Sequence, residues 1–336
     1  MDLKTTYMGI ELKNPIIIGA SNLVLDLEMA KKLEDAGAAA IVYKSLFEEQ
    51  LHLEAAELED ELHEYDERNA EMISLFPQVE HSGPRAHLMA LKKLKETVSI
   101  PVIASLNCVY DVSWVEYAKN IEQTGVDGIE LNFYSTISDV DKSAGQIEDE
   151  KIEILKKVKA AVNIPVSVKL SPFYTNLMNL VYRMDSNGAD AFVLFNRLFQ
   201  PDIDIENEDL KMPYNLSHKG DNRLALRFAG LLSCNIDGSI CSNTGIIDGE
   251  DLITMILAGA DTVQVVSTIY KNGVVQVTRM LEDLTTWMKK KEYEKISDFK
   301  GKLCKKNVQD PHAYKRAQYV DFLMKSKEYT KKYPVN

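Results

Sequence analysis

Short apolar runs recur along the chain. Each run follows one of two kinds of junction and ends on a polar residue. The junctions are glycines that close predicted helices or Ile-Pro pairs, at Gly37, Gly125, Gly188 and Gly259 and at Pro101 and Pro165. Glycine tolerates the left-handed backbone of a helix C-cap, and proline cannot continue a helix. The runs are rich in β-branched residues and too short for helices, so they predict buried parallel strands.

The repeated unit of helix, tight turn and buried strand predicts an α/β protein with a TIM (β/α)8 barrel, whose chemistry lies at the C-terminal ends of the strands. Helix 1 is expected near Asp26 to Ala36, with Asp26 as its N-cap. A small hairpin is expected to precede the first strand, beneath the barrel. The eight predicted strands are Pro15–Ser21, the run ending at Lys44, Pro101–Asn107, Asp127–Asn132, Pro165–Leu170, Ala191–Asn196, Gly238–Asn243 and Thr262–Ser267.

The 336 residues predict one barrel domain over residues 1–304 and a charged C-terminal tail over 305–336. Long loops follow strands 2 and 6, on the catalytic face. The first of them, about residues 45–85, is acidic and has helical periodicity. Loops of this length are usually functional lids or binding elements, and a solvated acidic helix making a surface or dimer contact is an equal alternative.

Composition narrows the functional class. The net charge of -12 argues against nucleic acid as a partner, because phosphate neutralisation needs clustered Lys and Arg. No apolar stretch approaches the roughly 20 residues of a membrane span, and no signal peptide is expected, so a cytoplasmic protein is predicted. The cysteines Cys108, Cys234, Cys241 and Cys304 form no C-x-x-C pair, which predicts buried thiols rather than a metal site or an iron–sulfur cluster.

The polar strand ends are the candidate chemistry. Lys44 and Lys169 end buried strands, where an ammonium group is costly unless it meets an anion. No acid lies close to Lys169 in the sequence, so its charge is expected to be available to a cofactor. Asn107, Asn132 and Asn196 can donate and accept at once, which suits a planar heterocycle. The loops SNTGI (242–246) and VST (266–268) follow strands 7 and 8, where many barrels bind phosphate. Together these features predict a phosphorylated planar cofactor such as FMN.

The chain resembles the FMN-dependent dihydroorotate dehydrogenases over about residues 1–304. The resemblance is closest to the branch called dihydroorotate dehydrogenase-like proteins, which share the segments SLFEEQ (45–50) and FNRLFQPDID (195–204). It is carried, in order along the chain, by the motifs NPIIIGAS (14–21), YKS (43–45), ASLN (104–107), ELNFYS (130–135), VKLSP (168–172), LFN (194–196), SNTGI (242–246) and ISDFKGKL (296–303).

The resemblance implies roles position by position. Ser135 matches the base that removes a proton while hydride passes to FMN, and Lys44 is the second residue implied in catalysis. The substrate contacts implied are Lys44, Asn132, Asn196 and, by its position, Arg197. The FMN contacts implied are Ala20, Ser21, Lys44, Ser45, Asn107, Asn132 and Lys169, with the phosphate loops Asn243, Thr244, Gly245, Val266 and Ser267.

The chain departs from the family pattern at several positions. Thr136 and Ile137 follow Ser135 where the family has Pro-Asn, and the substrate asparagine of the strand-2 loop has no clear counterpart near Met72. Val266 stands in place of a phosphate-loop glycine, and Arg197 replaces a small hydroxyl residue. Each lost buried hydrogen bond costs on the order of 1 kcal/mol. The departures therefore bear on the identity of the substrate, while FMN binding is retained.

Two other functions stay open from the sequence. One is a flavin-free barrel lyase or aldolase that uses Lys169 as a Schiff base. The other is a non-catalytic barrel that binds flavin. The expected partners are a small-molecule substrate and a second copy of the chain in a homodimer. The electron acceptor or partner subunit is not indicated, since the chain has no nicotinamide motif and no cluster ligands.

Overall fold

The computed structural model describes residues 1–48, 84–108, 111–134, 139–197, 201–211, 216–309, 314 and 317–324. These residues form a closed barrel of eight parallel strands with helices around it. In these ranges no helix has both the length and the apolar character needed to cross a membrane. The predicted (β/α)8 barrel is confirmed.

The barrel strands are hydrogen-bonded in chain order, and the last pairs with the first. Two further pairs of short strands form antiparallel hairpins outside the barrel. The barrel strands are β3 (Ile16–Ile18), β4 (Ala40–Phe47), β5 (Val102–Asn107), β6 (Gly128–Asn132), β7 (Val166–Leu170), β8 (Ala191–Leu194), β11 (Ser239–Ser242) and β12 (Thr262–Val265). The hairpin strands are β1 (Thr5–Tyr7), β2 (Ile10–Leu12), β9 (Asp202–Asp204) and β10 (Asp209–Lys211).

The helices between the strands bury one face against the barrel, and their ends follow the predicted signals. Asp26 caps the first helix by accepting a hydrogen bond from Glu28 N. All four glycines predicted to end helices have positive φ, a conformation that costs glycine little. The α-helices within the described residues are α1 (Leu27–Asp35), α2 (Pro84–Thr97), α3 (Asp111–Glu122), α4 (Ala144–Ala161), α5 (Leu177–Ser186), α6 (Arg223–Leu232), α7 (Gly249–Ala258), α8 (Ser267–Asn272), α9 (Val275–Lys290) and α10 (Ala317–Met324).

Strand ends differ from prediction by a few residues. Strand β8 stops at Leu194, before the non-proline cis peptide bond Leu194–Phe195, so Asn196 lies beyond the strand rather than at its end. Strand β4 continues past Lys44 to Phe47, and its pairing with β5 shifts register between Tyr43 and Leu46. A bulge of this kind re-aims side chains at the rim of a barrel.

The predicted hairpin beneath the barrel is present as β1 and β2, and it closes the N-terminal end. Tyr7 is 1% exposed and packs with Met8, Leu12 and the lowest interior side chains of the barrel strands. A Cβ atom on Gly128 would lie 2.9 Å from Met8 Cε, which shows how closely the hairpin approaches. The interior is therefore filled at this end, and any cavity must lie at the other.

Candidate functional site

A cavity of about 370 Å³ opens at the C-terminal end of the barrel, within the range of roughly 300–1,000 Å³ that small-molecule sites occupy. Among the described residues, every one predicted for the site lines it except Asn107. The predicted residues that line the cavity are Ala20, Ser21, Lys44, Ser45, Asn132, Lys169, Asn196, Arg197, Asn243, Thr244, Gly245, Val266 and Ser267. The barrel thus brings together groups that are more than 200 residues apart in the chain.

Asn107 lies just outside this wall. Its side chain is buried, and its Nδ2 donates to the carbonyl oxygens of Asn132 at 2.8 Å and Tyr134 at 3.1 Å. The side-chain nitrogen of Asn107 therefore holds the backbone at the end of β6, and its predicted contact with FMN stays a prediction. Ser135, the predicted base, lies outside the described residues, as do Met72, Thr136 and Ile137.

The cavity wall is positively charged. Lys44, Lys169 and Arg197 line it, and the lining residues that the structure describes include no carboxylate. Arg197 Nη1 donates to Asp221 Oδ2 at 2.6 Å and to Ser217 Oγ at 3.1 Å, which fixes the guanidinium at the rim. Burial opposes ionisation of Asp221, but hydrogen bonds from His218 N and Arg197 hold the pKa of that carboxyl below its ordinary value. The electrostatics favour an anionic ligand.

Lys169 has an acidic partner, contrary to the expectation from sequence. Lys169 is 7% exposed, and its Nζ lies 3.6 Å from Oε1 of Glu130, a carboxylate with no exposed surface. Asn132 is the direct neighbour of Lys169 across β6 and β7, so Glu130, two residues earlier on β6, lies on the same inward face. The Glu130 carboxylate, which lies below the cavity floor, therefore balances part of the positive charge of Lys169.

Glu130 and Gln264 are functional candidates that the sequence argument missed. Gln264 lies in the middle of β12 and lines the cavity, and its Nε2 donates to Glu130 Oε2 at 2.6 Å. Each interrupts an apolar strand with a long polar side chain, in the runs GIELN and TVQV. A polar residue inside a buried strand is rarely tolerated without a partner, which is the signal that could have identified both.

Several buried amide atoms at this site have no hydrogen-bond partner in the described structure. They are Asn132 Oδ1, Asn196 Nδ2 and Gln264 Oε1, all on residues that line the cavity. The opposite atom of Asn132 is used, since its Nδ2 donates to Ser45 Oγ at 3.3 Å. A buried polar atom without a partner costs about 1–3 kcal/mol. Two acceptors and one donor are therefore available to a ligand with matching N–H and C=O groups.

One side of the cavity is formed by the segments that follow β11 and β12, where backbone and side chains approach each other closely. Gly245 has φ +73°, and a Cβ there would lie 2.5 Å from Asn222 N, so only glycine fits. Val266, which the resemblance matches to a glycine position, has its Cγ2 2.9 Å from the place that a Cβ on Gly19 would take. The missing side chain at Gly19 therefore provides the space that Val266 occupies.

Known proteins provide an independent comparison. The family model described as dihydroorotate dehydrogenase matches residues 78–288. The catalytic subunit of dihydroorotate dehydrogenase B (NAD(+)) from Thermoplasma volcanium is 28% identical over 310 residues, which cover 91% of this chain and 99% of the relative. The NAD-dependent dihydropyrimidine dehydrogenase subunit PreA of Escherichia coli (strain K12) is 26% identical over 334 residues, covering 91% of this chain and 78% of the relative. Dihydroorotate dehydrogenase A (fumarate) of Lactobacillus helveticus is 28% identical over 209 residues, covering 61% and 68%.

The family match spans more than half of the 336 residues and includes the strands β5 to β12. The first two relatives extend it over nine-tenths of the chain. The resemblance found in the motifs is confirmed, and the chain belongs to the dihydroorotate dehydrogenase family.

Proposed function

We propose that this protein is an FMN-dependent oxidoreductase that oxidises dihydroorotate or a related small cyclic substrate. The observation that carries the proposal is the set of unpartnered amide atoms in a positively charged cavity at the mouth of the barrel. Bound FMN supplies a hydride acceptor at its N5 atom, chemistry that no side chain offers.

The residues present fit this cofactor. The flavin ring has an edge of alternating C=O and N–H groups, which suits the acceptors Asn132 Oδ1 and Gln264 Oε1 and the donor Asn196 Nδ2. Lys169 lies on the cavity floor and would stabilise negative charge on the reduced ring. The turn at Gly245 and the segment Val266–Ser267 would hold the phosphate through backbone N–H groups.

The remaining roles concern the substrate. Lys44 and Arg197 provide cations toward a carboxylate or a ring carbonyl, and Asn132 and Asn196 provide amides. Ser135 would take the proton, and it needs a polar relay because a free serine is a weak base. These assignments rest on family resemblance and, for the residues that line the cavity, on their positions.

Two substrate classes are to be compared. Dihydroorotate is the candidate substrate that the family suggests. A reduced uracil-type ring is the second candidate, because one relative is named as a dihydropyrimidine dehydrogenase subunit. Ile137 stands where the family has a substrate-binding asparagine, which removes an amide that a carboxylate-bearing ring would use. A ring without that carboxylate loses less by this change.

The cofactor is tested by releasing it from the purified protein with denaturant and identifying it by mass. We expect a yellow protein that yields FMN in a ratio near one per chain. A colourless protein that takes up no added FMN would refute the proposal.

The substrate is tested by stopped-flow reduction of the flavin with dihydroorotate and, separately, with 5,6-dihydrouracil. Reduction by either compound supports the proposed reaction, and the ratio of the two rates identifies the class. Failure of both would leave the FMN assignment intact and remove the proposed substrates. Ser135→Ala is expected to lower the rate of reduction by roughly two to four decades without loss of FMN.

The lyase alternative has less support. A Schiff base requires a lysine amine that can reach a substrate carbonyl carbon, whereas Lys169 Nζ lies 3.6 Å from the buried Glu130 carboxylate.

A partner protein would supply the electron acceptor if this chain acts as its relatives' names describe, since two of them are named as subunits. The chain alone should then reduce a dye acceptor but not NAD+. The predicted homodimer is checked by light scattering of the purified chain.

A further inference from the structure

Glu130 is a fully buried carboxylate beneath the cavity floor. Its Oε2 accepts from Gln264 Nε2 at 2.6 Å, and its Oε1 lies 3.6 Å from Lys169 Nζ and 3.4 Å from Ser105 Oγ. Glu130 does not line the cavity, but Lys169 and Gln264 do. One acid therefore contacts two polar side chains of the floor, one on the neighbouring strand β7 and one across the barrel on β12.

The same network reaches two further lining residues, Ser45 and Asn132. Ser105 Oγ lies 2.7 Å from Ser45 Oγ, which accepts from Asn132 Nδ2 at 3.3 Å. An ionised carboxylate only accepts hydrogen bonds. Its contact with Gln264 therefore fixes which way that amide lies, with Nε2 on Glu130 and Oε1 left without a partner in the described structure.

We propose that Glu130 is a positioning residue that orients Lys169 and Gln264 toward the bound cofactor and sets the charge that the cofactor experiences. This inference rests on the proposed FMN site. Glu130 offsets part of the positive charge of Lys169, so the reduced, more negative flavin is stabilised less than by an unpaired lysine. Neutralising Glu130 should therefore make the flavin easier to reduce.

The test is Glu130→Gln, which keeps the size and an acceptor oxygen. In a redox titration of the bound flavin, we expect the ratio of reduced to oxidised FMN at a fixed potential to rise about tenfold, roughly 30 mV for two electrons. Glu34→Gln is the matched control. Glu34 is a buried glutamate that accepts from Lys31 Nζ at 2.6 Å and from Ser99 N at 2.8 Å, ahead of β5 at the opposite end of the barrel.

Each outcome is decisive. An FMN-bound Glu130→Gln protein with the wild-type potential overturns this role and leaves the proposed function standing. A wild-type protein that binds no FMN overturns both. If Glu130→Gln does not fold, Glu130→Asp retains the charge but withdraws it from Lys169, and a smaller shift in the same direction is expected. An equal rise in the ratio of reduced to oxidised FMN in Glu34→Gln would show that the effect is merely structural.

A pair of cysteines lies away from the cavity. Cys234 follows α6 and is exposed, so the prediction of a buried thiol is wrong for this residue. Cys304 is fully buried, and the Sγ atoms of the two residues lie 3.4 Å apart although they are 70 positions apart in the chain. Burial and the contact with Cys234 raise the pKa of Cys304. The backbone beside Cys304 is fixed, since Lys305 N donates to Gly230 O at 2.8 Å.

From this contact we infer a second, independent property, which is a site of reversible oxidation. Hydrogen peroxide would convert the accessible thiol of Cys234 to a sulfenic acid with release of water. The Cys304 thiol would then attack the Cys234 sulfur and displace a second water, leaving a disulfide. The sulfurs need to approach by only about 1.4 Å to reach bonding distance. The resulting loop encloses β11 and β12, the strands that carry the proposed phosphate loops.

Peroxide treatment followed by intact mass and peptide mapping tests this site. We expect the loss of two hydrogens, a peptide that links Cys234 to Cys304, and a rise of the melting temperature that reductant reverses. Cys234→Ser and Cys304→Ser should each abolish the link, whereas Cys108→Ser should retain it. Oxidation of Cys234 to a sulfinic acid while Cys304 stays a free thiol would overturn the proposal.

Discussion

Two lysines are buried to the same extent on opposite sides of the barrel wall, and the protein accommodates them differently. Lys169 projects from β7 into the mouth of the barrel at 7% exposure, with a carboxylate 3.6 Å away. Lys151 projects from α4 toward the outside of the wall at 8% exposure, with its Nζ 5.7 Å from the centre of the Phe133 ring. In the described ranges no carboxylate forms a salt bridge with Lys151.

The difference in partners separates a lysine at a site from a lysine in the packing. Burial lowers the pKa of Lys151, and the nearby charge of Lys142 acts in the same direction, while Glu150 opposes it. The aromatic face offers about 0.5–2 kcal/mol of attraction, which makes burial of the ammonium tolerable without serving a ligand. Low exposure alone therefore does not mark a lysine as a candidate for the site; Lys169 is a candidate because it also lines a cavity and lies beside an acid.

The largest effect should come from Lys169→Met compared with Lys151→Met. The first variant leaves Glu130 buried without its cation, which typically costs about 3–5 kcal/mol. It also removes positive charge from the cavity floor, so we expect FMN affinity to fall at least tenfold and the flavin reduction potential to fall. Urea unfolding, FMN titration and a redox titration measure the three quantities.

Lys151→Met is the matched control and should leave FMN affinity and potential unchanged. If the two variants changed the potential equally, the contrast between the two regions would be lost.

A smaller effect is expected for Phe133→Leu, which removes the aromatic face from Lys151. Phe133 also packs against Trp114 with ring centres 5.2 Å apart. We expect a loss of roughly 1–3 kcal/mol of unfolding free energy, from the cavity and the lost ring contacts. Urea unfolding measures the loss. An unchanged flavin reduction potential in this variant would show that the Lys151–Phe133 contact stabilises the fold without acting on the cofactor. An altered potential would contradict that conclusion.

The smallest effect concerns alkaline pH. Because the pKa of Lys151 is lowered in the folded state, the unfolded chain binds more protons between that value and the ordinary lysine pKa of about 10.4. The contribution of Lys151 to stability should therefore rise with pH across this window. Thermal unfolding of wild type and Lys151→Met at increasing pH measures it as the difference between the two curves. A constant difference would show that Lys151 is not destabilised by burial.

The barrel could be predicted from the sequence because each strand has its own local signals. Glycine or Ile-Pro marks where a helix ends, and a β-branched run marks the strand that follows. The strand predicted to end at Asn196 stops at Leu194, and the strand predicted to end at Lys44 continues to Phe47. A polar residue at the rim of a barrel can lie beyond the last strand hydrogen bond or before a bulge, so it does not fix where the strand ends. Most of the candidate site followed from these ends and from family resemblance.

The network below the cavity could not be predicted in the same way. Glu130 and Gln264 lie on β6 and β12, strands that are not neighbours in the barrel. Their contact depends on how the sheet closes and on the stagger of its strands, which no local pattern specifies. The acid that pairs with Lys169 lies 39 positions earlier in the chain, and only the register of β6 against β7 reveals it.

Among the residues that the structure describes, the hairpin closes the lower end of the barrel, which leaves the mouth as the entrance to the cavity. Tyr7 and Met8 fill the space through which a second entrance would run. A reductant and a diffusible oxidant that both reach the cavity must then use the mouth one after the other. Initial velocities measured at several concentrations of each should give parallel double-reciprocal lines, and each compound should compete with the other at high concentration. An acceptor that draws electrons through the wall of the barrel would escape that competition, so the kinetic pattern reports the route by which electrons leave.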